Sequence, residues 1–317
     1  MKKYLALAFL PLILIGCSTN QNSSLSENNT PSSSISSEDT SHIADVIILS
    51  GQSNAEGHTY INELEKTAST DDFGAYQIGY DYTLINFVNN GGSYRNNYFD
   101  PVALGQGFTN KRFGPEVGIA KALEASGRTK TTYIIKYTLG GSALYDRWRS
   151  PSALNDGTTG DQYPKLVEHV HEALSQIEFQ DLTPVIRGIC WMQGEADATN
   201  ATYTQAYYNY LEAFVSDLRE EFSEYAPKDG IAFVDAGISN CSTWTYHQLV
   251  NKAKLDYANS NPETNYYFDT MQLGLQYHKE PVGSPDLFHY DSLSMIKLGE
   301  EFAKVFLDNQ LIKVEQA

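Results

Sequence analysis

Basic side chains are scarce in this chain, with 22 Lys and Arg against 39 Asp and Glu for a formal net charge of −17 at pH 7. A surface this acidic repels polyanions, which argues against nucleic acid as a partner. Cysteine is nearly missing, with 3 in 317 residues, so neither a disulfide framework nor a thiolate metal site is written into the spacing. With Cys17 set apart, Cys190 lies inside an apolar run and Cys241 a little beyond another. Two free thiols are expected, with a single disulfide as the alternative in an oxidising compartment. His58, His169, His171 and His278 show no ligand spacing, and His169 and His171, two apart on one helical segment, face different ways. No metal and no cofactor is expected. Long apolar runs are also missing: the longest, Leu5 to Ile15, is too short for an ordinary membrane span.

That run follows Lys2 and Lys3 and leads into Leu14-Ile15-Gly16-Cys17. A charged start, an apolar core and a small residue ahead of cysteine make an export signal whose end resembles a bacterial lipobox. The resemblance implies removal of residues 1–16, lipid on Cys17, and an extracytoplasmic protein that meets a membrane only through its anchor. A plain secretory signal with an incidental cysteine is the alternative. Residues 17–43, rich in Ser, Asn, Thr and Glu, bring too little apolar surface to offset the entropy of ordering and read as a flexible tether. Residues 44–317 then form one domain, long enough to bury a large core.

Within it, short β-branched apolar runs mark strands at 45–50, 132–138, 185–191, 231–235 and 266–268. Helical spacing falls between them at 114–126, 166–177, 207–218, 246–259 and 292–307. Strands alternating with helices predict a three-layer α/β/α sandwich with a five-stranded parallel sheet of flavodoxin-like topology, in the order 2-1-3-4-5. From about 58 to 112 the pattern fails. This stretch, rich in Tyr, Asn and Gly, is read as an insertion lying over the strand ends, because it is too long for a simple connection.

Gly51-Gln52-Ser53-Asn54 follows directly on Val46-Ile47-Ile48-Leu49 and Ser50. A serine hydroxyl is thereby carried to the carboxyl end of a buried strand, where open α/β sheets meet their ligands. Serine attacks only when a base takes its proton, the base is held in one tautomer, and donors await the developing oxyanion. Asp286-Leu287-Phe288-His289 offers the remaining pair, a carboxylate and an imidazole three positions apart, with enough intervening chain to fold back onto Ser53. Oxyanion donors are available from the Ser53 N–H, from the glycine pair Gly140-Gly141 after the second strand, and from the Gln193 amide after the third. Glycine at 141 leaves room for a substrate oxygen to approach. Asn54 is read as a tie for the turn and Glu195 as an acceptor from it, both supporting rather than reacting. Arg147 and Trp148 either line the pocket or belong to the core.

Five blocks occur in the order seen in SGNH hydrolases: Gly51-Gln52-Ser53-Asn54, Phe113-Gly114-Pro115-Glu116, Gly140-Gly141-Ser142, Trp191-Met192-Gln193-Gly194-Glu195 and Asp286-Leu287-Phe288-His289. Across about 44–308 the chain most resembles the branch holding carbohydrate esterase family 6 and the sialate O-acetylesterases. The resemblance implies Ser53 as nucleophile, His289 as base, Asp286 as its partner, Gly141 and Gln193 completing the oxyanion hole, and metal-free deacetylation of an acetylated carbohydrate. Gln193 stands where most of the superfamily has asparagine, though the esterase branch shares it. Two alternatives remain: a surface lipoprotein that binds glycans without turnover, and a lipase or thioesterase of the same superfamily.

Overall fold

The computed structural model describes residues 41–154 and 156–314. The expected signal, the Cys17 lipidation site and nearly all of the tether lie outside the described residues. In chain order the elements are β1 Ile43–Gly51, α1 Ser53–Glu56, β2 Thr59–Tyr60, α2 Ile61–Thr67, α3 Thr70–Ile78, β3 Tyr80–Asn89, β4 Tyr94–Arg95, β5 Asp100–Val102, β6 Arg112–Phe113, α4 Glu116–Ala125 and β7 Thr132–Thr138. They continue with α5 Tyr163–Glu178, β8 Thr183–Met192, α6 Ala201–Glu221, β9 Ala232–Ala236, α7 His247–Ser260, β10 Asn265–Phe268 and α8 Ser292–Asp308.

The strand core of β1, Val46 to Leu49, is fully buried, as is all of β7. Two-sided burial of this kind explains why both read as continuous apolar runs rather than alternating ones. β1 pairs in parallel with β7 on one side and β8 on the other, and β9 and β10 extend the sheet beyond β8. The order β7-β1-β8-β9-β10 is the 2-1-3-4-5 path. Helices flank the sheet, with α4 packed on α8 and α6 on α7.

The sheet is larger than the five strands expected from sequence. β3 lies parallel to β7 as a sixth parallel strand, and β4 and β5 add to it antiparallel, giving an 8-stranded sheet. The region read as an unpatterned insertion over the strand ends therefore builds a sheet edge. It escaped the pattern because β3 buries polar residues. Thr83, Asn86 and Asn89 are at most 2% exposed, and of the three it is Asn89 whose side chain is hydrogen-bonded at both ends. Asn89 donates to the Gln106 and Gly107 carbonyls (3.0 and 2.6 Å) and accepts from Thr138 Oγ1 at 2.7 Å, which ties the edge to β7.

Lys136, in the middle of β7, is buried as well. Its ammonium meets Glu116 Oε2 at 2.8 Å and the carbonyls of Glu56 and Gln106 at 3.0 and 3.1 Å. A buried cation needs this many partners, and these join α4, the segment after Ser53 and the edge region into one block.

Candidate active site

Register places the site. Gly51, Thr138 and Met192 stand abreast at the carboxyl ends of β1, β7 and β8, so the turns that follow them open on the same side. Gly51 adopts φ 138°, and a Cβ there would fall 2.0 Å from the Met192 carbonyl oxygen. Only glycine permits that backbone path. The chain then pins itself down: Gln52 N–H donates to Met192 O at 3.0 Å, and the Gln52 carbonyl accepts from Ala55 and Glu56 (2.9 and 2.8 Å), starting α1 at Ser53.

The histidine arrives from the far end of the chain through ties on both of its neighbours. Asn54 Oδ1 accepts the Tyr290 N–H at 3.2 Å, and Asn54 Nδ2 lies 3.4 Å from the Phe288 carbonyl. Thr59 Oγ1 donates to Tyr290 O at 2.9 Å. His289, between them, turns Nδ1 to Asp286 Oδ2 at 2.6 Å, while Asp286 Oδ1 accepts from the Phe288 and His289 N–H groups at 2.9 and 3.3 Å. Burial pushes the Asp286 carboxyl up, but the His289 partner and these N–H groups outweigh it and hold the carboxyl at about 2. An ionised carboxylate only accepts, so the Nδ1 of His289 carries a proton, which in the neutral ring leaves the lone pair to Nε2.

Ser53, Gly141 and His289 line one cavity of about 290 Å³, together with Gln52, His58, Gly140, Ala196, Trp244 and Phe288. Among the described residues neither the Ser53 N–H nor the Gly141 N–H has a backbone acceptor. Gly141 has φ 66° and open space where a Cβ would stand. The neighbouring Gly140 N–H is committed to Glu56 Oε2 at 3.1 Å. A larger groove of about 990 Å³ lies along β10 between α7 and α8 and contains none of these residues.

Gln193 lies elsewhere. It is 0% exposed, and its Nε2 donates to Asp197 Oδ2 at 2.6 Å and Ser142 O at 3.0 Å, while Tyr207 Oη donates to its Oε1 at 3.0 Å. Asp197 also accepts from the Leu144 and Tyr145 N–H groups (2.8 and 3.1 Å), and burial raises its carboxyl to about 6 in spite of these donors. The Gln193–Asp197 pair thus holds the loop that carries Gly141. Glu195 is fully buried and accepts from Asn54 Nδ2 at 2.8 Å; its Oε2 has no hydrogen-bond partner among the described residues, and burial raises its pKa.

Trp148 does not reach the cavity. It is 0% exposed, donates to Ser142 Oγ at 2.6 Å and packs edge-on against Trp191, while Arg147 pairs with Asp161 at the surface. The tryptophan at the cavity is Trp244, tilted against Phe288 with ring centroids 5.5 Å apart. Sequence reasoning missed it because it sits in the patternless loop before α7. His58 was dismissed on ligand spacing. In the fold its ring stacks between Phe108 (4.3 Å) and His289 (4.5 Å), with Nε2 on Glu56 Oε2 at 2.7 Å. Burial pushes the His58 imidazole down, and Glu56 opposes this only in part. The available sequence signal was its place just past the Ser53 turn. Cys190 and Cys241 are both buried and free.

The sequence profile of the carbohydrate esterase, sialic acid-specific acetylesterase family matches residues 43–308. Similar solved structures include a protein from Arabidopsis thaliana at 18% identity and TM-score 0.59, covering 84% of this chain and 99% of that one. NanS aligns at 15% identity and TM-score 0.57, over 84% of this chain and 97% of its own. A carbohydrate acetylesterase from Xanthomonas citri aligns at 16% identity and TM-score 0.53, over 83% of this chain and 55% of its own. At these identities the structures speak for the fold. No curated protein sequence matches the chain. A profile matching most of the chain, over the same span that carries Ser53 and His289, shows that the chain belongs to the carbohydrate esterase, sialic acid-specific acetylesterase family of carboxylic ester hydrolases.

Proposed function

We propose that the protein is a serine esterase that removes O-acetyl groups from carbohydrates through an acetyl-enzyme. The observation that carries this reading is His289, held by Asp286 at 2.6 Å and lining one cavity with Ser53 and Gly141, whose N–H groups meet no backbone acceptor among the described residues. Ser53 Oγ attacks the acetyl carbon as its proton passes to His289 Nε2. Collapse of the tetrahedral intermediate breaks the bond to the sugar oxygen, which takes the proton from His289. A water deprotonated by the same nitrogen then attacks the acetyl-enzyme. Breakage of the serine ester returns the proton to Ser53 and frees acetate. Asp286 holds the imidazole and offsets its charge when protonated.

A cavity of about 290 Å³ suits a short acyl group and part of one sugar ring better than a long acyl chain. Trp244 and Phe288 offer apolar faces on which a ring can lie. We further propose that the chain is exported and lipid-anchored at Cys17, with the catalytic domain held outside the cytoplasm. Among the described residues no helix is long and apolar enough to cross a membrane.

The test is acetate release from a panel of acetylated glycans (xylan, O-acetylated sialic acid, peptidoglycan), with wild type and Ser53→Ala side by side. Ser53→Ala should lose kcat by several orders of magnitude, toward about 10⁶-fold, with its melting temperature and sugar affinity nearly unchanged. Equal turnover by the two proteins ends the assignment. Preference for long-chain esters in wild type would move the reading to a lipase.

A further inference from the structure

Beside Ser53 stands a second imidazole to which the acetyl-transfer steps give no task. The side chain of His58 is 20% exposed and lines the cavity. Both faces of its ring are covered, one by Phe108 and the other by His289, at centroid distances of 4.3 and 4.5 Å and interplanar angles of 24° and 20°. What remains open is the edge. There Nε2 is engaged: it meets Oε2 of the fully buried Glu56 at 2.7 Å, and the same carboxyl accepts the backbone N–H groups of Asn90 and Gly140. A carboxyl that receives N–H groups on both oxygens is the acceptor, so Nε2 of His58 carries the proton and, in the neutral ring, Nδ1 keeps the lone pair. Burial pushes the His58 imidazole down against the opposing pull of Glu56, which keeps the ring uncharged at neutral pH. Nδ1 has no hydrogen-bond partner among the described residues, and it is not one of the buried polar atoms left without one. It is an acceptor open to the cavity.

We propose that His58 Nδ1 accepts a hydrogen bond from a hydroxyl next to the scissile acetyl ester, so that the protein selects acetyl groups whose neighbouring position on the sugar is free. This deepens the serine-esterase reading above and rests on it. The stack on His289 sets the place: a hydroxyl that donates to His58 lies beside the sugar oxygen that takes its proton from His289, not across the sugar ring from it. Gly140 closes the same corner, since a Cβ there would stand 3.3 Å from His58 Nε2 and 3.6 Å from Ser53 Cβ. An imidazole held on both faces and at its other nitrogen cannot turn away to find another partner. A substrate without the hydroxyl therefore leaves Nδ1 desolvated and unpaired, which is the ground on which a site built for a hydroxyl rejects the analogue lacking it.

The probes are the cis and trans monoacetates of cyclohexane-1,2-diol and cyclohexyl acetate, which lacks the second hydroxyl, all assayed by acetate release. Wild type should favour one of the hydroxy esters over cyclohexyl acetate by about tenfold or more in kcat/KM. His58→Phe keeps a flat ring between Phe108 and His289 and has no acceptor. Whatever it loses in rate on every ester, its preference for the hydroxy ester should collapse to within about twofold. A purely structural role would lower all the rates together and leave the ratio as in wild type. His58→Leu gives the same reading if the phenylalanine variant does not fold; thermal melting identifies the folded protein. A wild-type ratio below about twofold, or a folded variant that keeps the wild-type ratio, overturns the proposal. Ser53→Ala separates the two levels. If it is inactive while the His58 variants keep the wild-type ratio, the assignment of His58 fails and the serine mechanism stands; if it is fully active, the mechanism itself fails.

Discussion

Replacing Asn54 by Ala cuts the tie between the nucleophile turn and the segment that delivers His289. The side chain is 1% exposed and makes three contacts: Nδ2 to Glu195 Oε1 at 2.8 Å and to Phe288 O at 3.4 Å, and Oδ1 from the Tyr290 N–H at 3.2 Å. Alanine leaves two buried groups without these partners, the Tyr290 N–H and a Glu195 carboxyl whose other oxygen already has none. At roughly 1–3 kcal/mol for each orphaned group, the expected destabilisation is about 2–6 kcal/mol, read as a lower urea midpoint at unchanged m-value. Activity should fall as well, because Phe288 and Tyr290 flank His289, and a shift of about 1 Å at a catalytic group costs on the order of 10²-fold in rate. Asn54→Asp separates the two arms. It keeps an acceptor for Tyr290 but sets two carboxyls face to face, so its defect should shrink as pH falls and one of them protonates. An Asn54→Ala protein that unfolds within about 0.5 kcal/mol of wild type, with undiminished kcat, would refute this account of how the two ends of the chain are held together.

Two further outcomes are expected. Burial holds the His169 imidazole at about 4, against an ordinary value of 6.5, so the unfolded chain takes up the proton first and stability is lost as pH falls from about 6.5 to about 4. His169→Leu should remove up to about 3 kcal/mol of that loss, visible as a divergence of the two stability–pH curves, and parallel curves would contradict it. In a bacterial host, an alkyne analogue of palmitate should label the wild-type chain and not Cys17→Ser; equal labelling of the two would refute the anchor.

Much of the sheet was legible because its strands are buried on both faces and so carry unbroken apolar runs. The 132–138 strand has the same bounds in sequence and structure, and the helix from 292 differs by a single residue at its end. β3 was not legible for the opposite reason. Its place beside β7 buries Thr83, Asn86 and Asn89, and a buried polar residue such as Asn89, satisfied by partners distant in sequence, looks in the sequence alone like a residue meant for water. Trp148 and Trp244 show the same difficulty for pocket residues: composition marks both as able to line a site, and only packing sends one into the core and brings the other to the cavity.

The site extends this argument from burial to chemistry. Ser53 and the Asp286–His289 pair stand out in sequence because each residue type has few other reasons to occur in such a motif. Their separation is bridged by groups with no reactive role: the Asn54 amide, the Thr59 hydroxyl, and the backbone of Phe288 and Tyr290. The same holds for the Gly141 loop, which Gln193 and Asp197 fix from below through Ser142, Leu144 and Tyr145. A glutamine that reads from its motif as a donor to substrate spends its amide on Asp197 and Ser142, in the loop that carries Gly141. The glutamine beside Ser53, which the motif leaves without an assigned role, spends its oxygen on the Ala196 N–H at the cavity wall. Buried amides are assigned by what satisfies their oxygen, because a backbone N–H on one end fixes what the other end can offer. On that basis the chemistry of this pocket divides between groups spent on rigidity and groups left free for the reacting ester, and the division follows hydrogen-bond accounting more closely than motif position.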